Sequence, residues 1–298
     1  MSIKTSFSIK DLENLSGVKA HTIRIWEKRY NLFQPKRSDT NIRTYDLKSL
    51  QKVLNIALLL ENGHKISKLA LLEEDEISIK VRDLTTIDGD ILNTINTFKL
   101  AMLNFDQQLF DDTYSQLLAK YTFQEIFTTY FIKLLEHIGL LWTSNTILPA
   151  HEHFISTLIK QKILTNIEKA VGQNSNTDKT YVLFLPLNEM HDIGLLYIHY
   201  ELTLKGCQSI YLGENLPVEN LQEIQKVFKK VVFISYFTVE PSKNNAQTYL
   251  TEFYDSILTR RNERLHILGN NTAHLDANKL PPNIVMHENP IELIKQII

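Results

Sequence analysis

From Lys179 onward, short apolar runs alternate with helix-like stretches, and this alternation leaves few folds open to the last third of the chain. The apolar runs are YVLFLPL (181–187), SIYLG (209–213), VVFIS (231–235), HILG (266–269) and a weaker NIVMH (283–287). Helical stretches lie near 191–205, 218–229, 246–261 and 290–297. Such a strand–helix series predicts a parallel sheet with helices on both faces, here five-stranded and spanning residues 179–298. Ligands of such sheets bind beyond the carboxyl ends of the strands. The residues to read are therefore Glu189 and His191, then Gly213, Ser235 and Gly269.

His191 stands at a strand-to-helix corner, FLPLNEMHDIGLL, with acids on either side. An imidazole there can reach away from the sheet, and its neutral form is a good ligand for a transition metal. A carboxylate such as Glu189, accepting the other ring N–H, would fix the tautomer and raise ligand basicity. Gly194, one turn into the helix, removes a side chain where something large must lie close; close helix–sheet packing gives the same residue. No second histidine or cysteine has an obvious metal-site spacing. One protein ligand implies a metal whose other positions are already filled, as in a macrocycle; an ordinary corner histidine is the alternative.

At 298 residues the chain suggests two or three domains. A single cysteine, Cys207, excludes a disulfide framework and fits a reducing cytoplasm. No apolar run reaches the ~18 residues of a membrane span, and MSIKTSFSIKDLENL lacks the apolar core of a signal peptide. From about Ile91 to Val171 the pattern is helical, with segments at 91–103, 106–119, 122–142 and 149–171 started by Asp106, Thr122 and Pro149. Four helices of this length suit one bundle. Within it, LLWTSNTILPAHEHF sets Trp142 nine residues ahead of Glu152-His153. His151 and His153, two apart, diverge by about 200° on a helix and cannot share a zinc-binding face. Alone, this stretch reads as a core tryptophan and a helix start. The acid-rich EEDEISIKVRDLTTIDGD (73–90) reads as a linker.

Charge is unevenly spread. Residues 1–72 hold 13 Lys and Arg against 6 Asp and Glu, a net +7 in a chain of formal charge −2, so the remainder carries −9. A basic head on an acidic body suggests that the head meets a polyanion. Ser8 can cap a helix through IKDLENL, Ser16-Gly17-Val18 reads as a tight turn, and AHTIRIWEKRY (20–30) forms a second helix. Ile23, Trp26 and Tyr30 face inward; His21, Thr22, Arg24, Lys28 and Arg29 are left largely outward. This is the helix-turn-helix plan, whose second helix enters a major groove. Pro35, Ser38, Asp39 and Asn41 then make a turn flanked by Lys36, Arg37 and Arg43, a basic wing suited to phosphates. Helices follow at 46–60 and 66–72.

TIRIWEKRYNLF, the wing ending in Arg43-Thr44-Tyr45 and the helix after it resemble the MerR family of bacterial transcription regulators. That resemblance implies DNA contacts from Arg24, Arg43 and Tyr45, with His21, Thr22, Lys28 and Arg37 beside them. Glu189-x-His191-x-x-Gly194 resembles the signature of cobalamin-binding α/β domains, in which the histidine replaces the cofactor's own base beneath cobalt. Ser235 and Gly269 match the positions that line the channel for the nucleotide tail. The Trp142 to Glu152-His153 spacing resembles the helical cap of MerR-type, adenosylcobalamin-dependent light receptors, the CarH-like group. The resemblance implies Trp142 over the adenosyl group and contacts to it from Glu152 and His153. Three positions depart from the pattern: Phe237 stands where leucine is usual, Asn270 replaces a second glycine, and Thr143 replaces a histidine able to capture cobalt.

The expected architecture is multidomain: an N-terminal winged helix-turn-helix of MerR type (1–75), a linker (76–90), a central four-helix bundle acting as cap (91–175), and a C-terminal α/β domain of flavodoxin-like, Rossmann type (179–298). The expected function is a cytoplasmic, non-enzymatic regulator, a repressor, that binds double-stranded DNA as a homo-oligomer, dimer or tetramer. Adenosylcobalamin would control it, with His191 as lower axial cobalt ligand and light as a further input. The other reading is a cofactor-independent regulator of the same build, its sensor domain used for protein interaction.

Overall fold

A computed structural model describes residues 6–37, 41–84, 91–144, 146–170, 178–260 and 263–297. The chain divides into two compact units, residues 1–158 and 159–298.

In the first unit, helix α1 (Ile9–Ser16) starts at a reciprocal cap. The Ser8 backbone N–H donates to Asp11 Oδ2 at 2.7 Å, and the Asp11 N–H returns a bond to Ser8 Oγ at 3.1 Å. It ends at Gly17, whose φ of 73° lies in the left-handed region where glycine costs least. Helix α2 (Ala20–Tyr30) buries Ile23 and Trp26. Strands β1 (Lys36–Arg37) and β2 (Arg43–Thr44) pair antiparallel as a wing; its expected Ser38-Asp39 turn lies outside the described residues. Phe7 and Tyr45 then exchange two backbone hydrogen bonds, closing the wing onto the start of the domain. Helix α3 (Leu47–Glu61), capped by Asp46, and α4 (Ile66–Leu69) complete the head.

One expectation is corrected here. Residues 74–84 are not a linker but helix α5 (Glu74–Leu84), packed on α3 with Ile77 and Val81 buried. Two apolar residues four apart were enough to dock a helix whose other positions are polar. Residues 85–90 lie outside the described part.

The four helical segments expected next are present. They are α6 (Ile91–Asn104), α7 (Gln107–Leu118), a third made of α8 (Phe123–Ile126), a π-helical turn (Phe127–Phe131) and α9 (Ile132–Thr143), and α10 (Pro149–Ala170). Phe98, Phe110 and Phe131 form the aromatic centre of this region, with ring centroids 5.0 to 6.1 Å apart.

The second unit is the α/β domain. Its strands are β3 (Thr180–Phe184), β4 (Gln208–Gly213), β5 (Val231–Tyr236), β6 (Arg264–Leu268) and β7 (Ile284–Met286). All pair in parallel, in the order β4-β3-β5-β6-β7. Between them run α11 (Ile193–Leu204), α12 (Leu221–Val227), α13 (Ala246–Ser256) and α14 (Pro290–Ile297). Alternate strand residues feed opposite layers. Val182, Phe184, Val231 and Phe233 pack on the side of α12 and α13. Tyr181, Leu183, Val232 and Ile234 pack on the side of α11 and α14. The strand order reverses at β3, which has β4 on one side and β5 on the other. The crevice beyond β3 and β5 is therefore the place where an open α/β sheet holds a ligand.

Candidate functional site

His191 lies in the loop between β3 and α11, at that reversal point. Its ring is more than half exposed, while Glu189 beneath it is fully buried. His191 Nδ1 is 2.5 Å from Glu189 Oε1, and the same oxygen accepts the backbone N–H groups of Met190 and His191 at 3.0 Å. The other oxygen, Oε2, accepts three successive N–H groups, from Thr238, Val239 and Glu240, at 3.0, 2.6 and 2.8 Å. Burial pushes the Glu189 carboxyl up, but the bonds from His191 and from the backbone outweigh it and hold the pKa at about 2. A Glu189 carboxylate ionised above about pH 2 is an acceptor only, so Nδ1 carries a proton, and in the neutral ring the lone pair is on Nε2. That is the tautomer a metal ligand needs.

Asp192 beside it is also buried. It pairs with Lys160 Nζ of α10 at 2.5 Å and accepts the Tyr211 hydroxyl at 2.9 Å. The histidine is thus mounted on a corner fixed on both sides by buried carboxylates.

Gly194 is close to something large, and that neighbour is part of the chain. A Cβ on Gly194 would lie 2.7 Å from Cε2 and 2.9 Å from Cζ of Tyr236. The space a bare glycine opens is filled by the ring at the end of β5. Ser235 is fully buried and donates to the Phe184 carbonyl at 3.0 Å. Gly269, with φ of 107°, is needed for a backbone approach: a Cβ there would lie 2.3 Å from the Phe237 carbonyl oxygen. Phe237 is a core residue, and Asn270 is exposed. Glu189, His191, Gly194, Ser235 and Gly269 thus all gather at the carboxyl ends of β3, β5 and β6.

In the helical region, Trp142 is 45% exposed near the end of α9, so it is no core residue. Glu152, in the first turn of α10, accepts Ser156 Oγ at 2.6 Å and pairs with the exposed His153 at 2.8 Å. His151 is buried, stacked on Phe105, and accepts the Leu148 N–H at 3.3 Å through Nδ1; burial lowers its pKa.

On the head, His21, Arg24 and Lys28 are exposed on α2, with Thr22 half-buried. Arg37 is exposed on β1 and donates to Asn41 Oδ1 at 2.6 Å. Two expected contacts are placed differently. Tyr45 is 1% exposed and donates its hydroxyl to Glu27 Oε2 at 3.1 Å. Arg43 is about a third exposed and donates through Nε to Glu27 Oε1 at 3.0 Å. Tyr45, expected as a DNA contact, is instead buried in the head, with its hydroxyl taken up by the partly buried Glu27 carboxylate. Glu27 went unread. Its signal was available: it is the sole carboxylate on an otherwise basic helix.

Comparison with known proteins matches two segments of the chain. Residues 7–76 match the MerR HTH family regulatory protein description, and residues 94–165 match a B12 binding domain. The chain joins a MerR-type head to a B12-binding domain. The chain is 26% identical over 226 residues to the HTH-type transcriptional repressor CarH of Myxococcus xanthus, covering 72% of this chain and 73% of that protein. It is 23% identical over 216 residues to CarA of the same organism, covering 72% and 70%. The fold is also similar to the monomethylamine corrinoid protein of Methanosarcina barkeri, with a TM-score of 0.53 at 16% identity, over 70% of this chain and 98% of that one. The match of the head and the two repressor relatives support a transcriptional regulator with a DNA-binding head. Among the described residues no helix is long and apolar enough to cross a membrane.

A corrinoid fits this site at one end. The exposed imidazole, paired with Glu189, would serve as the protein's ligand to a corrinoid's metal. The cradle at Gly194 does not offer open room, since Tyr236 stands in it.

Proposed function

We propose that the chain is a DNA-binding transcriptional repressor controlled by adenosylcobalamin, with His191 as the protein's ligand to cobalt. The observation that carries this reading is the Glu189–His191 pair at the strand-reversal crevice. Glu189 holds the imidazole in one tautomer and one orientation, and its five backbone bonds keep it from moving. When bound, the cofactor supplies a cobalt–carbon bond that green light can break. Trp142, Glu152 and His153 are included in the proposal as contacts to the adenosyl group. Arg24 and Lys28 on α2, with His21 and Thr22, are assigned to the groove, and Arg37 and Arg43 to flanking phosphates. A homo-oligomer, dimer or tetramer, would set several heads on repeated half-sites and gain affinity by multivalency.

The test is optical. The purified chain, mixed with adenosylcobalamin and desalted in the dark, should keep the corrin absorption bands, and His191→Ala should lose them. A colourless wild-type eluate rejects the cofactor. For light, a DNA mobility shift seen in the dark should disappear after green illumination; an unchanged shift rejects photoreception and leaves the rest.

The second reading, a regulator that works without the cofactor, is favoured by one observation: Tyr236 already fills the face of Gly194. The same eluate decides between them.

A further inference from the structure

We propose that the α/β domain carries a second ligand site, at the amino ends of β3, β5 and β6, built for a small organic phosphate of nucleoside monophosphate size. It lies at the other end of the sheet from His191 and does not rest on the cofactor reading.

Strand periodicity makes the site. Side chains two apart on a strand share a face. On the α11 and α14 face, each of these three neighbouring strands is entered through a cation, followed two residues on by a buried residue. The pairs are Lys179 with Tyr181, Lys230 with Val232, and Arg264 with His266. All six line a cavity of about 430 Å³, within the roughly 300–1,000 Å³ typical of small-molecule sites. The cations stand together although the chain outside the head carries −9, and like charges side by side on a sheet repel. The side chains of Lys179 and Arg264 make no hydrogen bond or ion pair with any described residue. Lys230 pairs with Asp178 at 3.0 Å, a residue 84% exposed. An anion in the cavity would supply the charge that the fold leaves out.

The floor adds direction. Tyr181 donates its hydroxyl to the Ile297 carbonyl at 2.9 Å, so its ring remains, with Val232, as an apolar wall. His266 is 6% exposed; its Nδ1 lies 2.8 Å from Nε2 of the buried His287, whose own Nδ1 is buried without a partner. Burial, then His287, then the charges of Arg264 and Lys179 hold the His266 pKa at about 3, so its ring is neutral. An unpaired N–H in the interior is rarer than an unpaired lone pair. The proton between the rings therefore belongs to His287 Nε2, and His287 Nδ1 is the lone pair. His266 Nδ1 is then the acceptor, and its Nε2–H is left for the cavity that the ring lines. One N–H donor and three cations suit phosphate oxygens, the Arg264 fork taking two at once, while Tyr181 and Val232 suit a flat body.

Equilibrium dialysis of the full chain tests this with adenosine 5′-monophosphate, adenosine and inorganic phosphate. The nucleotide should bind one per chain, and adenosine should not be retained. Arg264→Gln should weaken the nucleotide about tenfold or more, the size expected for lost charge-assisted bonds. Lys226→Gln, which removes a cation from α12 on the other face of the sheet, should change nothing. Should Arg264→Gln lower the urea midpoint, Lys179→Gln takes its place. No nucleotide bound by wild type, or equal affinity in wild type and the cavity variant, overturns the site. Inorganic phosphate bound as tightly as the nucleotide rejects the apolar wall and with it the organic ligand. Binding lost in Arg24→Ala but kept in Arg264→Gln places the nucleotide on the head and overturns the site as well. If wild type ignores the nucleotide while Lys179→Gln weakens duplex binding, the cations are a further duplex contact and the small-molecule site is rejected.

Discussion

Glu189 is the residue on which most of the site depends. Its carboxylate joins the histidine corner to the loop after β5, so two strand ends are held by one side chain. Folding lowers its pKa from 4.5 to about 2. A lowered carboxylate pKa stabilises the fold fully above its unfolded value and loses that contribution as pH falls toward its folded value. The window is thus pH 4.5 to 2, and a shift of this size corresponds to on the order of 3 kcal/mol. Urea unfolding at a series of pH values should show wild type losing stability across that window more steeply than Glu189→Gln. Parallel curves would mean that the buried carboxylate contributes no such linkage. The pairing of Glu189 with His191 was legible in the sequence, because two residues apart on one corner cannot avoid each other. The three N–H groups from residues 238–240 were not, since they come from a loop some 50 positions away. The same holds for Gly194. Sequence alone could say that a large group lies close, and left open whether it is a ligand or packing; the ring that answers belongs to a different strand.

At the scale of elements, local chemistry gave reliable boundaries wherever a cap or a two-residue alternation was present. Ser8 with Asp11 starts α1, Thr122 with Glu125 starts α8, and Asp106 starts α7. Strands β3 and β5 were legible because buried parallel strands are continuous apolar runs. Helix α5 was not, because its acidic first turn hides the spacing of Ile77 and Val81, and only α3 gives that pair a surface to cover. The Ser8 cap offers a check on this scale. Ser8→Ala should cost about 1 kcal/mol, read as a lower urea midpoint for the head with an unchanged slope. No change would show that Asp11 and the Phe7–Tyr45 bonds hold the helix start without it.

For the whole molecule, the division of charge matters more than its sum. The +7 head and the −9 remainder place the attraction for DNA in one part of the chain. If each head neutralises about four phosphates, log K should fall with log salt at a slope of roughly −3.6 per head. A near-zero slope would remove phosphate contacts from the account. Arg24→Ala should weaken binding to the operator more than binding to random duplex; equal losses would make Arg24 another phosphate contact. The oligomer belongs to this scale as well. Light scattering in the dark should give a larger mass with adenosylcobalamin than without it, and identical masses would separate regulation from assembly.

The bond pattern at Glu27 sets a limit on how the head can read its target. One carboxylate on α2 fastens both Arg43 and Tyr45 of the wing region, so the helix proposed for the groove and the hairpin proposed for the phosphates are held together as the two arms of a locked calliper. When a target's spacing differs from the gap between those arms, the duplex has to bend or twist to meet them, and its flexibility becomes part of the code the head selects.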